Sequence, residues 1–528
     1  MGGQTELAGP DLAVGVDAAS VTTGQMLLGH ARGEPVLLAR IGDEYVAIAA
    51  TCTHYGGPLV EGLMDGDTVR CPWHHACFSL RTGEALRAPA LSPVARWKTE
   101  RRGNKIVVTE KIERDPLAPS YPIDADRARM PRHVVIVGAG AAGSAAAEML
   151  RRCGFDGRVT IVDNDSGSPY DRPNLSKDYL AGNAPEEWIP LRPAGFYADH
   201  KIDIGHGRAA RLDFKSKTLD VDGHGSVSYD ALLLATGAEP VRLKMPGDDQ
   251  PHVHYLRSLA DSRSIIGAAK GAKRAVVVGA SFIGLEVAAS LRARNVDVHV
   301  VAPEKIPLGR VLGDYLGSYV RSLHEEKGVT FHLEHTTQRV ESDAVVLDDG
   351  TRLPADLVVI GVGVKPRLEL AESAGLATDR GIVVDAFLAT SVPGIFAVGD
   401  IARWPDPHSG ERIRVEHWVV AERQGQAAAR NILGAREPFA LVPFFWSAHY
   451  DVSFNYVGHA EKWDRVEVDG DATKRDVAVR FMRGENLLAL VTLFRDDESL
   501  RAELEMEGRA RAGATGEGDT GGRQSDRG

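Results

Sequence analysis

Between residues 52 and 74 the chain reads Cys52-Thr53-His54, sixteen further residues, then Cys71-Pro72-Trp73-His74. Two thiols and two imidazoles arrive as a C-x-H pair and a C-x-x-H pair. Such a donor set holds a two-iron cluster, with both cysteines on one iron and both histidines on the other. Thiolates favour the ferric state, whereas neutral imidazoles remove negative charge from their iron, so electrons enter more readily than in an all-cysteine cluster. A lone C-x-H is usually a buried thiol beside a surface imidazole. Two such pairs, followed by Gly56-Gly57-Pro58-Leu59 and by Phe78, are harder to dismiss. A tetrahedral Cys2His2 zinc site competes. Zinc fingers place both cysteines before both histidines, and here they interleave, which favours iron and sulfur.

The cluster stretch lies in a region that reads as β. Val36–Ile41 and Tyr45–Ile48 flank Gly42-Asp43-Glu44 as a hairpin, and short strands follow near Thr68, Phe78 and Ile106. Pro116, Pro119 and Pro122 among charged residues then read as a linker over 111–130, a tether of roughly 25 Å.

Next comes strand, glycine turn and helix. Val134–Val137 leads into Gly138-Ala139-Gly140-Ala141-Ala142-Gly143, and a second strand ends at Asp163, twenty residues after Gly143. Gly138 makes the tight turn, Gly140 admits a pyrophosphate to the backbone, and Gly143 packs helix on strand. The phosphates then face the helix N-terminus, and Asp163 can accept from ribose hydroxyls. The pattern returns as Gly279-Ala280-Ser281-Phe282-Ile283-Gly284, with Ser281 in the middle place and Glu304 twenty residues after Gly284. Two such units imply two dinucleotides, most simply FAD and then NAD(P).

The bulk numbers narrow the class. At 528 residues the length prior is three to four domains. A net charge of −11 gives no basic footprint for nucleic acid or an anionic membrane. Four cysteines, two of them committed to metal, fit a reducing compartment without a disulfide framework. The N-terminus, MGGQTELAGP, lacks a basic-then-apolar leader, and no apolar run is long enough to span a membrane. The expected location is the cytoplasm.

CTHYGGPL and CPWHHACF resemble the two cluster-binding loops of Rieske [2Fe-2S] domains. The resemblance implies that Cys52 and Cys71 bind one iron and His54 and His74 the other. It also shows departures. Gly57 and Trp73 stand where high-potential members carry a disulfide, and Ala76 and Phe78 replace hydroxyl donors to the cluster. With less stabilisation of the reduced cluster, the potential should lie near the low end of the Rieske range, about −150 mV. His75 replaces a glycine usual in that family, and the sequence assigns it no task.

Residues 131–505 resemble the ferredoxin reductases and apoptosis-inducing-factor-like flavoproteins. Ala235-Thr236-Gly237 and Gly399-Asp400 look like that class's ATG and GD motifs, and Pro169–Lys177 looks like the segment that lays Arg172 and Lys177 against FAD. The same resemblance places Asp400 at the ribityl chain, Trp418 and Trp446 near the flavin, and Glu286 near the nicotinamide. The catalytic candidates are Lys177, Glu286 and Trp418.

The expected architecture is therefore multidomain. An all-β Rieske domain (1–110) and the linker precede an α/β two-dinucleotide-binding flavoprotein reductase. Its FAD domain covers 131–247 and 366–437, its NAD domain 248–365, and an α+β C-terminal domain 438–507, before a disordered tail over 508–528.

The implied activity is electron transfer from NADH, with NADPH the poorer donor, through FAD and the [2Fe-2S] cluster to an acceptor protein such as an oxygenase, cytochrome or ferredoxin. The alternative is an apoptosis-inducing-factor-like redox-sensing or interaction flavoprotein with slow turnover. A disulfide reductase would need a redox cysteine pair, and after residue 130 only Cys153 remains. A Rieske oxygenase would need a mononuclear iron, for which His252, His254, Asp248 and Asp249 are the sole tempting group.

Overall fold

The computed structural model describes residues 7–121, 123 and 130–516. The N-terminal unit is two antiparallel sheets. Six strands run in the order Val16–Asp17, Lys105–Ile112, Arg96–Arg102, Glu44–Ala49, Glu34–Ile41 and Met26–Ala31. The other sheet orders Leu63–Asp65, Thr68–Arg70, Cys77–Ser79 and Ala85–Arg87. Leu37, Ile48, Leu59, Val69 and Phe78 fill the space between them. One ligand loop follows the strand Glu44–Ala49, and the other joins Thr68–Arg70 to Cys77–Ser79.

Two parallel five-stranded sheets follow. In the first, His133–Val137 lies between Arg158–Asp163 and Ala231–Leu234, with Ile202–His206 and Ile395–Ala397 at the edges. Its strands are buried on both faces, which is why they read as unbroken Val, Ile and Leu. The first glycine turn opens α1, Ala141–Arg152. A Cβ on Gly143 would collide with the carbonyl oxygen of Gly138, so glycine is what lets the helix sit on its strand. In the second sheet Arg274–Val278 is central, and Ser281 opens α2, Phe282–Ala293. Against the edge strand Val329–Leu333 of this sheet lies α3, Gly309–Glu326. The chain returns to the first unit through α4, Trp418–Ile432, which packs on α1. A five-stranded antiparallel sheet, beginning with Phe444–His449, carries the final helix α5, Asp496–Gly516.

Two sequence expectations change here. The tail expected from 508 is helical through Gly516, because α5 lies on the last sheet with Leu500, Ala502 and Met506 buried; residues 517–528 fall outside the described residues. The linker is not a free tether over its described part. Lys111 and Ile112 still belong to a strand, Leu117 is buried in the core around the first parallel sheet, and the Ser120 and Tyr121 amides donate to Arg152 O. Residues 122 and 124–129 of that stretch lie outside the described residues.

The N-terminal β unit is held against the rest of the chain by buried charge. Glu503 of α5 accepts from Arg423 of α4 at 2.7 Å, from Arg70 at 3.0 Å and from His75 Nδ1 at 3.1 Å. Glu507, one turn on, pairs with Arg70 at 2.9 Å and Arg87 at 2.5 Å. Arg423 also donates to the carbonyls of Ala88 and His75, both at 3.2 Å. Burial alone would raise the Glu503 carboxyl, but Arg423 and His75 hold it well below the usual carboxylate range. Breaking a buried pair from one side leaves an uncompensated charge. Arg423→Met should therefore cost about 3–5 kcal/mol, read as a lower urea midpoint, whereas Arg501→Met on the exposed face of α5 should change the midpoint little.

Candidate active site

The two ligand loops are pinned by their own backbones. Cys52 N donates to Gly57 O and Cys71 N to Ala76 O, both at 2.8 Å. These turns bring the donor atoms together in pairs. Nδ1 of His54 lies 3.2 Å from Nδ1 of His74, and the Cys52 and Cys71 sulfurs share a hydrogen bond. That hydrogen bond raises the Cys52 thiol and lowers the Cys71 thiol. Burial pushes the His54 imidazole down to about 3, and burial together with His54 pushes His74 well below its ordinary value. Both rings are therefore neutral, the form that ligates metal. Two thiols paired on one side and two neutral imidazoles on the other fit a [2Fe-2S] cluster with no further residue. Gly57 is needed for space, since a Cβ there would come within 2.7 Å of the Cys71 sulfur. All four cysteines are free thiols.

His75 acquires a task here. Its φ of 60° is the left-handed conformation that a glycine would adopt without strain. The imidazole stacks on Phe444 at 4.1 Å, and its Nε2 meets Ser499 Oγ at 3.2 Å while Nδ1 meets Glu503. It locks the second ligand loop to the last domain.

The two loops abut residues of the α/β units and of the last sheet. The ring of Tyr55 stacks on His54 at 3.9 Å, and its hydroxyl donates to Asp171, next to Arg172. Trp446 packs on His74 at 4.3 Å and stands edge-on to His54 at 5.9 Å. Trp446 belongs to the strand Phe444–His449, whose side chains alternate. Phe444 and Trp446 face the cluster loops, while Phe445, Ser447 and His449 face the other way. Ser447 Oγ donates to Glu286 Oε1 at 2.6 Å. Glu286 Oε2 accepts from Ser176 at 2.6 Å and pairs with Lys177 at 2.9 Å. Thus Lys177 and Glu286, distant in sequence, meet one strand residue away from the cluster's tryptophan.

The first dinucleotide cradle assembles as its residues suggest. Gly138, Gly140 and Gly143 surround the start of α1, and Asp163 accepts from the Ala139 amide. Arg172 reaches within 3.9 Å of where a Cβ on Gly140 would sit. Asp400 Oδ2 is 4.0 Å from the corresponding point on Gly237, and Thr236 Oγ1 donates to Arg367 O. Arg257, which no sequence motif marks, joins this group through Asp400 at 2.7 Å. Trp418 opens α4 and is hydrogen-bonded to Glu422. Asp171 Oδ1 and Glu422 Oε2 are buried polar atoms with no hydrogen-bond partner, which the polar groups of a bound ring system would satisfy. Burial pushes the Asp171 carboxyl up to about 6. These residues fit an FAD.

In the second cradle Ser281 does not simply replace a small residue. Its hydroxyl accepts from Gly284 N at 3.2 Å and donates to Gly361 O at 2.7 Å, capping α2. Gly279 has the left-handed turn its position demands. Glu304 is half-buried two residues past the strand Asp297–Ala302, whereas Asp163 is the last residue of its own strand. The donors and space fit a dinucleotide. His252, His254, Asp248 and Asp249 do not converge. Among the described residues outside the Cys/His loops, His335, Asp348 and Asp349 form the one group whose donor atoms lie close enough to share an ion, and they sit at or near the surface. No helix among them is long and apolar enough to cross a membrane.

A family profile described as pyridine nucleotide-disulphide oxidoreductase matches residues 132–425, a Rieske [2Fe-2S] domain profile matches 13–98, and a reductase C-terminal profile matches 444–517. Apoptosis-inducing factor 3 of Homo sapiens is 31% identical over 496 residues, covering 90% of this chain and 80% of its own. The ferredoxin–NAD(+) reductase component of the biphenyl dioxygenase system of Paraburkholderia xenovorans is 37% identical over 344 residues, 64% of this chain and 84% of its own. Among solved structures, the covalent putidaredoxin reductase–putidaredoxin complex superimposes with a TM-score of 0.69 at 33% identity, over 72% of this chain and 93% of that one. With Cys52, His54, Cys71 and His74 as ligands, anaerobically purified protein should hold about two irons and two acid-labile sulfides. His74→Ala should lose them, by iron and sulfide assay, and zinc in place of iron would overturn the assignment.

Proposed function

From the premise that the chain belongs to the pyridine nucleotide-disulphide oxidoreductase family, as a ferredoxin reductase-like NAD(P)H oxidoreductase with its own Rieske domain, we propose that Cys52, His54, Cys71 and His74 form the electron exit of the FAD site. When bound, FAD supplies two-electron acceptance from NADH and one-electron release, and the [2Fe-2S] cluster supplies one-electron carriage. The observation that carries the proposal is the double contact of the cluster loops. Tyr55 reaches Asp171 beside Arg172, and Trp446 links both ligand histidines to the strand that bonds Glu286.

Each residue has a part. Arg172, Gly140 and the start of α1 hold phosphate, Asp163 takes ribose hydroxyls, and Asp400 with Thr236 and Gly237 positions the ribityl side. Lys177 and Glu286 line the face where the nicotinamide meets the flavin, and Trp418 with Glu422 closes the other side. Gly279, Ser281 and Gly284 seat the second dinucleotide, and Glu304 accepts from its adenosine ribose.

The acceptor is a separate one-electron protein, an oxygenase, cytochrome or ferredoxin. The relatives support this reading, since one is a ferredoxin–NAD(+) reductase component and one structure is a reductase–redoxin complex. The resemblance to apoptosis-inducing factor 3 keeps a slow redox-sensing role as the second reading. Rapid cytochrome reduction would exclude it.

Two assays on two variants test the route. His74→Ala should largely retain NADH-dependent ferricyanide reduction, because the ion network at Glu503 and the reductase core remain, and should lose most reduction of a protein acceptor. Gly284→Val should abolish both, since a branched side chain would force α2 off its strand. Protein-acceptor turnover that survives His74→Ala would take the cluster off the route. Carboxylate repulsion of a 2′-phosphate at Glu304 should favour NADH over NADPH in kcat/KM by about tenfold, the factor that 1.4 kcal/mol gives. Equal values would mean that Glu304 does not face the ribose.

A further inference from the structure

Behind Glu286 a line of hydrogen bonds runs outward to the half-buried Tyr450. Ser447 Oγ meets His449 Nε2 at 3.1 Å, His449 Nδ1 meets His324 Nε2 at 3.1 Å, and His324 Nδ1 meets the Tyr450 hydroxyl at 3.3 Å. Ser447, His449 and His324 are at most 1% exposed, and Tyr450 is half-buried. We infer that Tyr450, His324, His449 and Ser447 form a proton relay that charges and discharges Glu286. The inference rests on Lys177 and Glu286 lining the reductase site.

The direction of every bond follows from one end. Glu286 is a carboxylate bonded by Lys177, Ser176 and Ser447, and a carboxylate only accepts. Ser447 has therefore spent its proton on Glu286 and must accept from His449 Nε2–H. His449 Nδ1 is then an acceptor, so His324 donates from Nε2–H, and His324 Nδ1 accepts from the Tyr450 hydroxyl. Four donors point the same way, toward Glu286. Burial keeps both imidazoles neutral, with His449 pushed down to about 3 and His324 well below its ordinary value. The charged neighbours, Lys177 toward His449, and Arg292 and Lys327 toward Tyr450, are all cations. A neutral imidazole with one donor and one acceptor nitrogen passes a proton without ever holding a charge for long.

One passage is balanced as follows. The Ser447 proton moves to Glu286 Oε1, the His449 Nε2 proton to Ser447, the His324 Nε2 proton to His449 Nδ1, the Tyr450 proton to His324 Nδ1, and Tyr450 recovers one from water. One proton has entered, and both imidazoles have changed from the Nε2–H to the Nδ1–H tautomer. The reverse passage expels it and restores both. With both dinucleotides bound, a hydride delivered there would add one net negative charge beside the Glu286 carboxylate, where low polarity makes added charge costly. Protonation of Glu286 offsets that charge. When two electrons have left singly, Glu286 returns its proton, and the net stoichiometry remains one proton released per NADH. A plain structural network would need neither a continuous donor direction nor a half-buried tyrosine at its outer end.

The test uses the full-length holoprotein under anaerobic conditions. In oxidised protein, nitrogen-15 NMR should find His324 and His449 both as Nε2–H tautomers; Nδ1–H at either one overturns the relay. On reduction, infrared difference spectra should gain a protonated-carboxyl band that is absent in Glu286→Gln, and an indicator dye should report proton uptake. His449→Gln keeps donors and acceptors but cannot exchange tautomers. It should slow band and uptake by about a hundredfold or more, while the flavin still bleaches. Tyr450→Phe should slow them similarly, since it removes the hydroxyl alone and keeps the ring that packs on His324. Wild-type kinetics in either variant, or no band in the wild type, overturns the inference. Failure of NADH to bleach the wild-type flavin would instead sink the reductase reading, and reduction by dithionite would still test the relay.

Discussion

Glu503 holds a buried negative charge that three parts of the chain share. Arg423 reaches it from the FAD domain, Arg70 and His75 from the cluster domain, and its own helix belongs to the last sheet. An apolar interface of the same shape would hold these parts together as well, because desolvating ions consumes most of what their attraction returns. What the charges add is a penalty for every other arrangement. Any docking that separated Arg70 from Glu503 and Glu507 would leave charges buried and unpaired. The cluster domain is thereby fixed in one register, and His75, adjacent to the ligand His74, transmits that register to the cluster loop.

The strand Phe444–His449 turns this placement into chemistry through the simplest property of a β-strand, the alternation of its side chains. Phe444 and Trp446 touch the cluster loops. Ser447 and His449, on the opposite face, touch Glu286 and His324. Electrons and protons can then be handled on two sides of one backbone, and neither path crosses the other. Separation matters because an electron tunnels through packed aromatic and aliphatic groups, whereas a proton needs an unbroken line of donors and acceptors.

The grouping of Cys52 and His54 with Cys71 and His74, and the glycine turns, were legible in the sequence because each motif is local. Cys52 to His54, Cys71 to His74, and Gly138 to Gly143 lie within one loop apiece, where spacing dictates geometry. Resemblance then supplied Arg172, Lys177 and Asp400, which single spacings do not encode. Helix α5 was illegible for a physical reason. It buries Glu503 and Glu507, so the apolar stripe that announces an amphipathic helix is broken by acids. His75 looked like an unexplained exception because its partners, Ser499 and Glu503, lie over four hundred residues away.

The hydrogen-bond line from Tyr450 to Glu286 marks the limit of such reading most clearly. Ser447, His449 and Tyr450 are near neighbours, but His324 comes from α3 and Glu286 from α2, each more than a hundred residues upstream. Nothing in a histidine's sequence context tells whether it will be a ligand, a surface group or a buried neutral ring. Its role is set by which of its two nitrogens donates, and that is set in turn by the group at the far end. Here the far end is a carboxylate fixed by Lys177, so a single ion pair at the reductase site orients every proton in the line, and a change of charge at that pair is felt as far out as Tyr450.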